Sequence, residues 1–135
     1  MYYLDLNKAF IMRGNQELPL SRLSLSEFFD FVKNIPYRRD PKPIEVTSRP
    51  YFILKYRNLG MDCKKKNTLI CAFLRMKNLK YRAIGSSSRP DHVVHHIYME
   101  FFDQNKKEWR PVDSTYPENV LFNRPPQETY REVLK

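Results

Sequence analysis

Glycine is scarce in this sequence, with 3 residues in 135 against 10 prolines. Flexible glycine linkers are therefore excluded, and the connections should be stiff and irregular. Cysteine is scarce too: Cys63 and Cys71 are the only two. Such a pair cannot form a disulfide scaffold. If both lie on one helix, a rise of about 1.5 Å per residue sets them about 12 Å apart, beyond disulfide reach. Two free thiols fit a reducing compartment. Long apolar runs are missing as well. The longest, Leu69 to Leu74, has six residues and cannot span a bilayer. The first eight residues, Met1 to Lys8, show no basic stretch followed by an apolar one. No secretory signal is therefore expected, and a cytoplasmic protein is the expectation.

Acidic residues are the minority, 15 against 24 Lys+Arg, for a net charge of +9. The basic residues are spread along the chain, so a solvated basic surface with weak polyanion binding is expected. Apolar residues make up 41% and aromatics 14%, which excludes a disordered chain. The length suits one domain, expected to span residues 1–135.

Local patterns divide the chain. Tyr2 to Leu6 reads as a short strand and Arg13-Gly14-Asn15 as a turn. Ser24 with Glu27 has the pattern of a capping box. Leu25, Phe28, Phe29, Val32 and Ile35 follow at helical spacing until Pro36. Residues 36–50 read as an extended surface connection. Asp62 to Leu79 reads as a central helix, with Asp62 as N-cap and Asn78 near its C-cap. Leu69, Ala72, Phe73, Met76 and Leu79 form its apolar face, widened by Ile70 and Leu74. Tyr81 to Ile84 is a short strand, followed by a loop at Gly85-Ser86-Ser87-Ser88. Val93 to Phe102 and Lys107 to Val112 form a hairpin. The expected class is α+β, with helices packed on an antiparallel sheet.

That hairpin brings chemistry together. A centre between Gln104 and Asn105 sets His96 directly opposite Asp113, with Cβ atoms about 5 Å apart. A carboxylate there accepts an imidazole N–H, fixes the tautomer and stabilises the cation. Pro111 marks an edge or a bulge, and a bulge would break the match. Cys63 lies at the start of the central helix, where free N–H groups and Lys64, Lys65 and Lys66 favour a thiolate. Its backbone N–H is a donor for a developing oxyanion. Tyr37 and Tyr56 are candidates for the second donor, and nothing in the sequence selects either. Nucleophile, base and orienting acid are thus Cys63, His96 and Asp113. Cys71 reads as core packing. His95 should point to the opposite face from His96. His92, His95 and His96 have a spacing that would suit a metal on a helix, but the alternation reads as strand, so no metal and no cofactor are expected. Trp109 reads as core, and Glu100 as a paired strand residue without catalytic role.

Three blocks of this sequence resemble the transglutaminase-like superfamily, relatives of papain-type cysteine proteases. The first is Asp62-Cys63 with the apolar run Leu69 to Arg75, and Tyr81-Arg82-Ala83-Ile84-Gly85 follows. The second is His96-Ile97-Tyr98-Met99-Glu100, and the third Trp109-Arg110-Pro111-Val112-Asp113-Ser114-Thr115. The resemblance covers about residues 28–117. It implies that Cys63 is the nucleophile, His96 the general base and Asp113 the orienting acid. Lys65 and Lys66 stand where many members have acidic or small residues. Gly60 is one residue further from the cysteine than in the common form. Both departures point to an altered substrate preference, and Tyr98 replaces the more usual tryptophan. The implied activity is acyl transfer from an amide of a peptide or protein through a Cys63 thioester. An amidase or peptidase is the leading expectation, in a small stand-alone prokaryotic or phage-type member. The alternatives are a cross-linking transglutaminase with an amine acceptor, and an inactive binding or assembly module of a phage particle or a nucleic-acid complex.

Overall fold

The computed structural model describes residues 10–37 and 63–134. The strand read at Tyr2 to Leu6, the connection over 38–50, Tyr56, Gly60 and the Asp62 cap lie outside the described residues. Strands β1 (Phe10–Arg13) and β2 (Gln16–Pro19) form a small antiparallel hairpin. Its two-residue turn puts Gly14 at φ +62°, a region glycine enters without steric cost. A short 3₁₀ turn, Leu20–Arg22, leads into helix α1 (Leu25–Lys33).

The capping box forms as its sequence predicts. The Ser24 N–H donates to Glu27 Oε1 at 3.0 Å, and the Glu27 N–H donates to Ser24 Oγ at 3.2 Å. Ser24→Ala is expected to cost about 1 kcal/mol in a urea unfolding titration, and an unchanged midpoint would remove the cap from the stability account. The helix stops at Lys33, three residues short of Pro36. The Asn34 side chain folds back to donate to the Asp30 carbonyl at 2.8 Å and ends the helix first. Phe28, Phe29, Val32 and Ile35 are all buried, as the spacing requires.

Helix α2 (Cys63–Met76) carries the long apolar run. Leu69, Ile70, Phe73 and Leu74 are fully buried, and Phe73 stacks on Phe28 of α1 with ring centroids 4.3 Å apart. The helix closes in a Schellman motif. Asn78 takes φ +57°, the Leu79 N–H donates to the Leu74 carbonyl and the Asn78 N–H to the Arg75 carbonyl, each at 2.9 Å.

The fold is α+β. Strands β3 (Tyr81–Ser87), β4 (His96–Asp103), β5 (Glu108–Val112) and β6 (Tyr130–Val133) form an antiparallel sheet in the order β5-β4-β3-β6. The α1–α2 pair packs against it around Met99, Phe101 and Val112. Strand β3 does not stop at Ile84. It runs on through Gly85, Ser86 and Ser87 because both β4 and β6 pair with it there. Gly85 sits in a close approach: a Cβ there would lie 3.1 Å from the side chains of both Val94 and Leu134, so those side chains would have to give way. Strand β4 begins at His96 rather than Val93.

The β4–β5 register corrects the hairpin reading. Asp103 pairs with Glu108, so the loop is residues 104–107 and its centre lies between Asn105 and Lys106. Asp103 Oδ1 accepts from the N–H groups of Asn105 and Lys106, and Lys107 takes φ +53°. This side-chain-held loop lies one residue further along than the turn expected over 103–106, which shifts the pairing by two residues. A shift of two keeps every side chain on its face. Pro111 pairs regularly with Glu100 and sits on an edge strand, with no bulge.

Candidate active site

Cys63, His96 and Asp113 come from three different element ends. Cys63 begins the described part of α2, His96 opens β4, and Asp113 follows the last residue of β5. All three line one cavity of about 340 Å³. His96 Nε2 donates to Asp113 Oδ2 at 2.8 Å. Asp113 is therefore not directly opposite His96 but one diagonal step along, on the same face and still in reach. The Cys63 thiol lines the same cavity, close enough to the ring to raise the His96 pKa. Because Nε2 is taken by Asp113, Nδ1 is the nitrogen left for sulfur.

Electrostatics follow from this geometry. Burial of the ring pulls the His96 pKa down. The hydrogen bonds and charges of Asp113 and Cys63 outweigh it and raise the value from 6.5 to about 9. Asp113 is itself held firmly. Its Oδ1 accepts from the Thr115 N–H at 3.2 Å and from Thr115 Oγ1 at 2.8 Å, and its side chain is 2% exposed. A carboxylate tied on one oxygen leaves the other aimed at the imidazole.

Beside His96, anchored to the neighbouring strand, the cavity has a further carboxylate that the sequence pattern does not reveal. Glu128 Oε2 accepts from Ser86 Oγ at 2.7 Å and from the Tyr98 hydroxyl at 2.8 Å. Tyr98 is fully buried, and burial followed by the Glu128 carboxylate pushes its phenol pKa up. Tyr98 thus ties a carboxylate into the cavity wall through its hydroxyl. Tyr37 and Tyr116 stand at the cavity with ring centroids 5.0 Å apart. Despite a net charge of +9, the described lining residues include three carboxylates, those of Asp113, Glu118 and Glu128, and neither lysine nor arginine. Nothing in residues 116–128 has a strand or helix period, so sequence pattern offered no signal for Glu118 or Glu128.

Other singled-out residues separate cleanly. His95 lies just before β4, so strand alternation does not govern it. It lines the same cavity as His96, and its Nε2 accepts from the Ser88 N–H at 2.9 Å. His92 stacks on Tyr130 with centroids 4.9 Å apart. The three histidines therefore point to three different partners, and among the described residues no group of three ligands could hold a metal. Cys71 packs against the core and faces Tyr81. Both thiols are free. Trp109 is not in the buried cluster. It is half-buried, with the Arg82 guanidinium 4.1 Å above its ring and Phe102 edge-on at 5.4 Å. Glu100 is buried between Arg82 at 2.8 Å and Arg131 at 2.6 Å. Lys66 is fully buried and is not among the residues that line the cavity.

No family model matches the chain, and no curated protein matches it. Among solved structures, the chain is similar to one in a crystal structure of Rad4–Rad23 bound to a 6-4 photoproduct UV lesion. The TM-score is 0.44 at 14% identity, over 73% of this chain and 28% of that one. Among the described residues, no helix is long and apolar enough to cross a membrane.

Proposed function

We propose that this protein is a cysteine-dependent acyl-transfer enzyme of the transglutaminase-like type that acts on amide bonds. The observation that carries the reading is the meeting of Cys63, His96 and Asp113 at one cavity, with His96 Nε2 bonded to Asp113 Oδ2 and the Cys63 thiol near enough to raise the ring's pKa. Three such groups perform one cycle. His96 takes the thiol proton on Nδ1, and sulfur attacks the amide carbonyl. The C–N bond breaks as His96 returns the proton to the leaving amine. A second nucleophile, activated by the same nitrogen, then cleaves the thioester and restores the thiol. Asp113 keeps the ring in the productive tautomer and offsets the imidazolium charge in the charged steps. With water as acceptor the enzyme is an amidase or peptidase, the reading we favour. With an amine it is a cross-linking enzyme.

Intact-mass analysis after incubation with a peptide library and a primary-amine probe tests the proposal. A shortened peptide identifies hydrolysis, and an amine adduct identifies transfer. Both should vanish in Cys63→Ala. Labelling by iodoacetamide near pH 7 should favour Cys63 over Cys71 by at least about tenfold, as expected of an activated thiol at a cavity against one packed on the core. His96→Ala should narrow that gap. Equal slow labelling of both thiols, with no peptide product, would remove the proposed activity.

A further inference from the structure

Lys66 is the one fully buried lysine in the described structure, and the catalytic proposal makes no use of it. It stands one helical turn beyond Cys63 on α2, so the two side chains share a face of that helix. Its Nζ donates to the Thr115 carbonyl at 2.6 Å and to the Lys33 carbonyl at 3.4 Å. Thr115 is the residue that grips Asp113 Oδ1 through both its N–H and its hydroxyl. The far side of the same turn is also held: Asn119 Nδ2 donates to the Asp113 carbonyl at 3.1 Å, and Lys33 Nζ reaches the Asn119 carbonyl at 3.4 Å.

Burying an ammonium is costly, and an apolar residue at this position would pack into the same core without that cost. Burial lowers the Lys66 pKa to about 8, even though Asp113 and Glu118 act to raise it. Such a cost is repaid where the group satisfies backbone carbonyls. Here those carbonyls belong to the catalytic turn and to the end of α1.

We infer that Lys66 is a positioning residue, which fixes the 113–115 turn through the Thr115 carbonyl and so aims Asp113 at His96. This rests on the acyl-transfer reading of Cys63, His96 and Asp113, but its readout does not need turnover. In Lys66→Met the Thr115 carbonyl loses its donor, the turn relaxes and Asp113 loses its grip on the ring. The His96 midpoint, followed by imidazole proton NMR in the full chain, should fall by about one pH unit or more. Cys63 alkylation near pH 7 should slow about fivefold while Cys71 is unchanged. Lys66→Arg, which keeps a charged donor, should restore most of both effects.

The direction of the shift decides between roles. A lysine acting only through its charge would raise the His96 midpoint when removed, and one that only holds the fold would leave it in place. Either result overturns the inference. Lys66→Gln provides a second neutral variant with a shorter donor arm, and its midpoint should fall between those of Lys66→Met and the parent. If neither neutral variant folds cooperatively, Lys66 is a fold-holding residue and the inference is overturned. Should the parent protein label Cys63 no faster than Cys71, the acyl-transfer reading fails by itself, and the His96 midpoint still reports on Lys66.

Discussion

Turnover is expected to fall about 10³-fold in Asp113→Asn, with little change in KM, because the wrong histidine tautomer becomes the stable one. Asp113 meets donors on both sides. The Thr115 N–H and hydroxyl point at one oxygen, and His96 Nε2 points at the other. An asparagine offers one acceptor and one donor group. The Thr115 backbone N–H cannot turn away, so the amide oxygen goes there and the NH₂ faces His96. Nε2 must then accept, and the proton moves to Nδ1, the nitrogen that has to receive the thiol proton. Long-range ¹H–¹⁵N NMR of the imidazole should show the Nδ1–H form in the variant and the Nε2–H form in the neutral parent. An unchanged tautomer with unchanged turnover would remove Asp113 from the proposed cycle. Asp113→Ala should do comparable damage by a different route, since it leaves the ring free to rotate.

The parts of this site that local chemistry specifies were legible in the sequence. Ser24 and Glu27 need only each other, and they form their box. The left-handed stop at Asn78 and the buried face of α2 are equally local. His96 and Asp113 were placed together for a reason that was partly wrong. The loop is residues 104–107 rather than 103–106, because Asp103 holds it and Lys107 enters the left-handed region. The pairing survives because the error was even, and an odd slip would have sent the two side chains to opposite faces. What sequence could not supply was set by partners far along the chain. Gly85-Ser86-Ser87 has poor strand propensity, yet two neighbouring strands recruit it. Strand β6 is four residues long, with two of them exposed, so it has no strong pattern of its own. Glu128 finds Ser86 and Tyr98 across more than 25 positions. Lys66 reads as one more member of a solvated basic run until the fold encloses it.

Stability should fall between about pH 6.5 and 8, stay level to about 9 and recover above that, and His96 and Lys66 shape this profile in opposite directions. His96 carries the raised value, from 6.5 to about 9. Its contribution is complete below pH 6.5, where the ring is charged in both the folded and the unfolded chain. It is lost as the pH rises through 9, because the folded state binds the extra proton in that interval. The loss is on the order of 3 kcal/mol for a ring this well enclosed. Lys66 carries a lowered value, from 10.5 to about 8. Between those two values the unfolded chain binds more protons than the folded one, so stability recovers as the pH rises. Urea titrations at half-unit steps from pH 6 to pH 10 should therefore show a decline that begins near 6.5 and levels off above 8. In His96→Gln the decline should disappear and the recovery above pH 8 remain. In Lys66→Met the decline should shrink as well as the recovery, because the same substitution loosens Asp113 from the ring. A flat profile in the parent protein would mean that His96 exchanges its proton as freely as an unpaired imidazole. In that case the ring is not held between a carboxylate and a thiol.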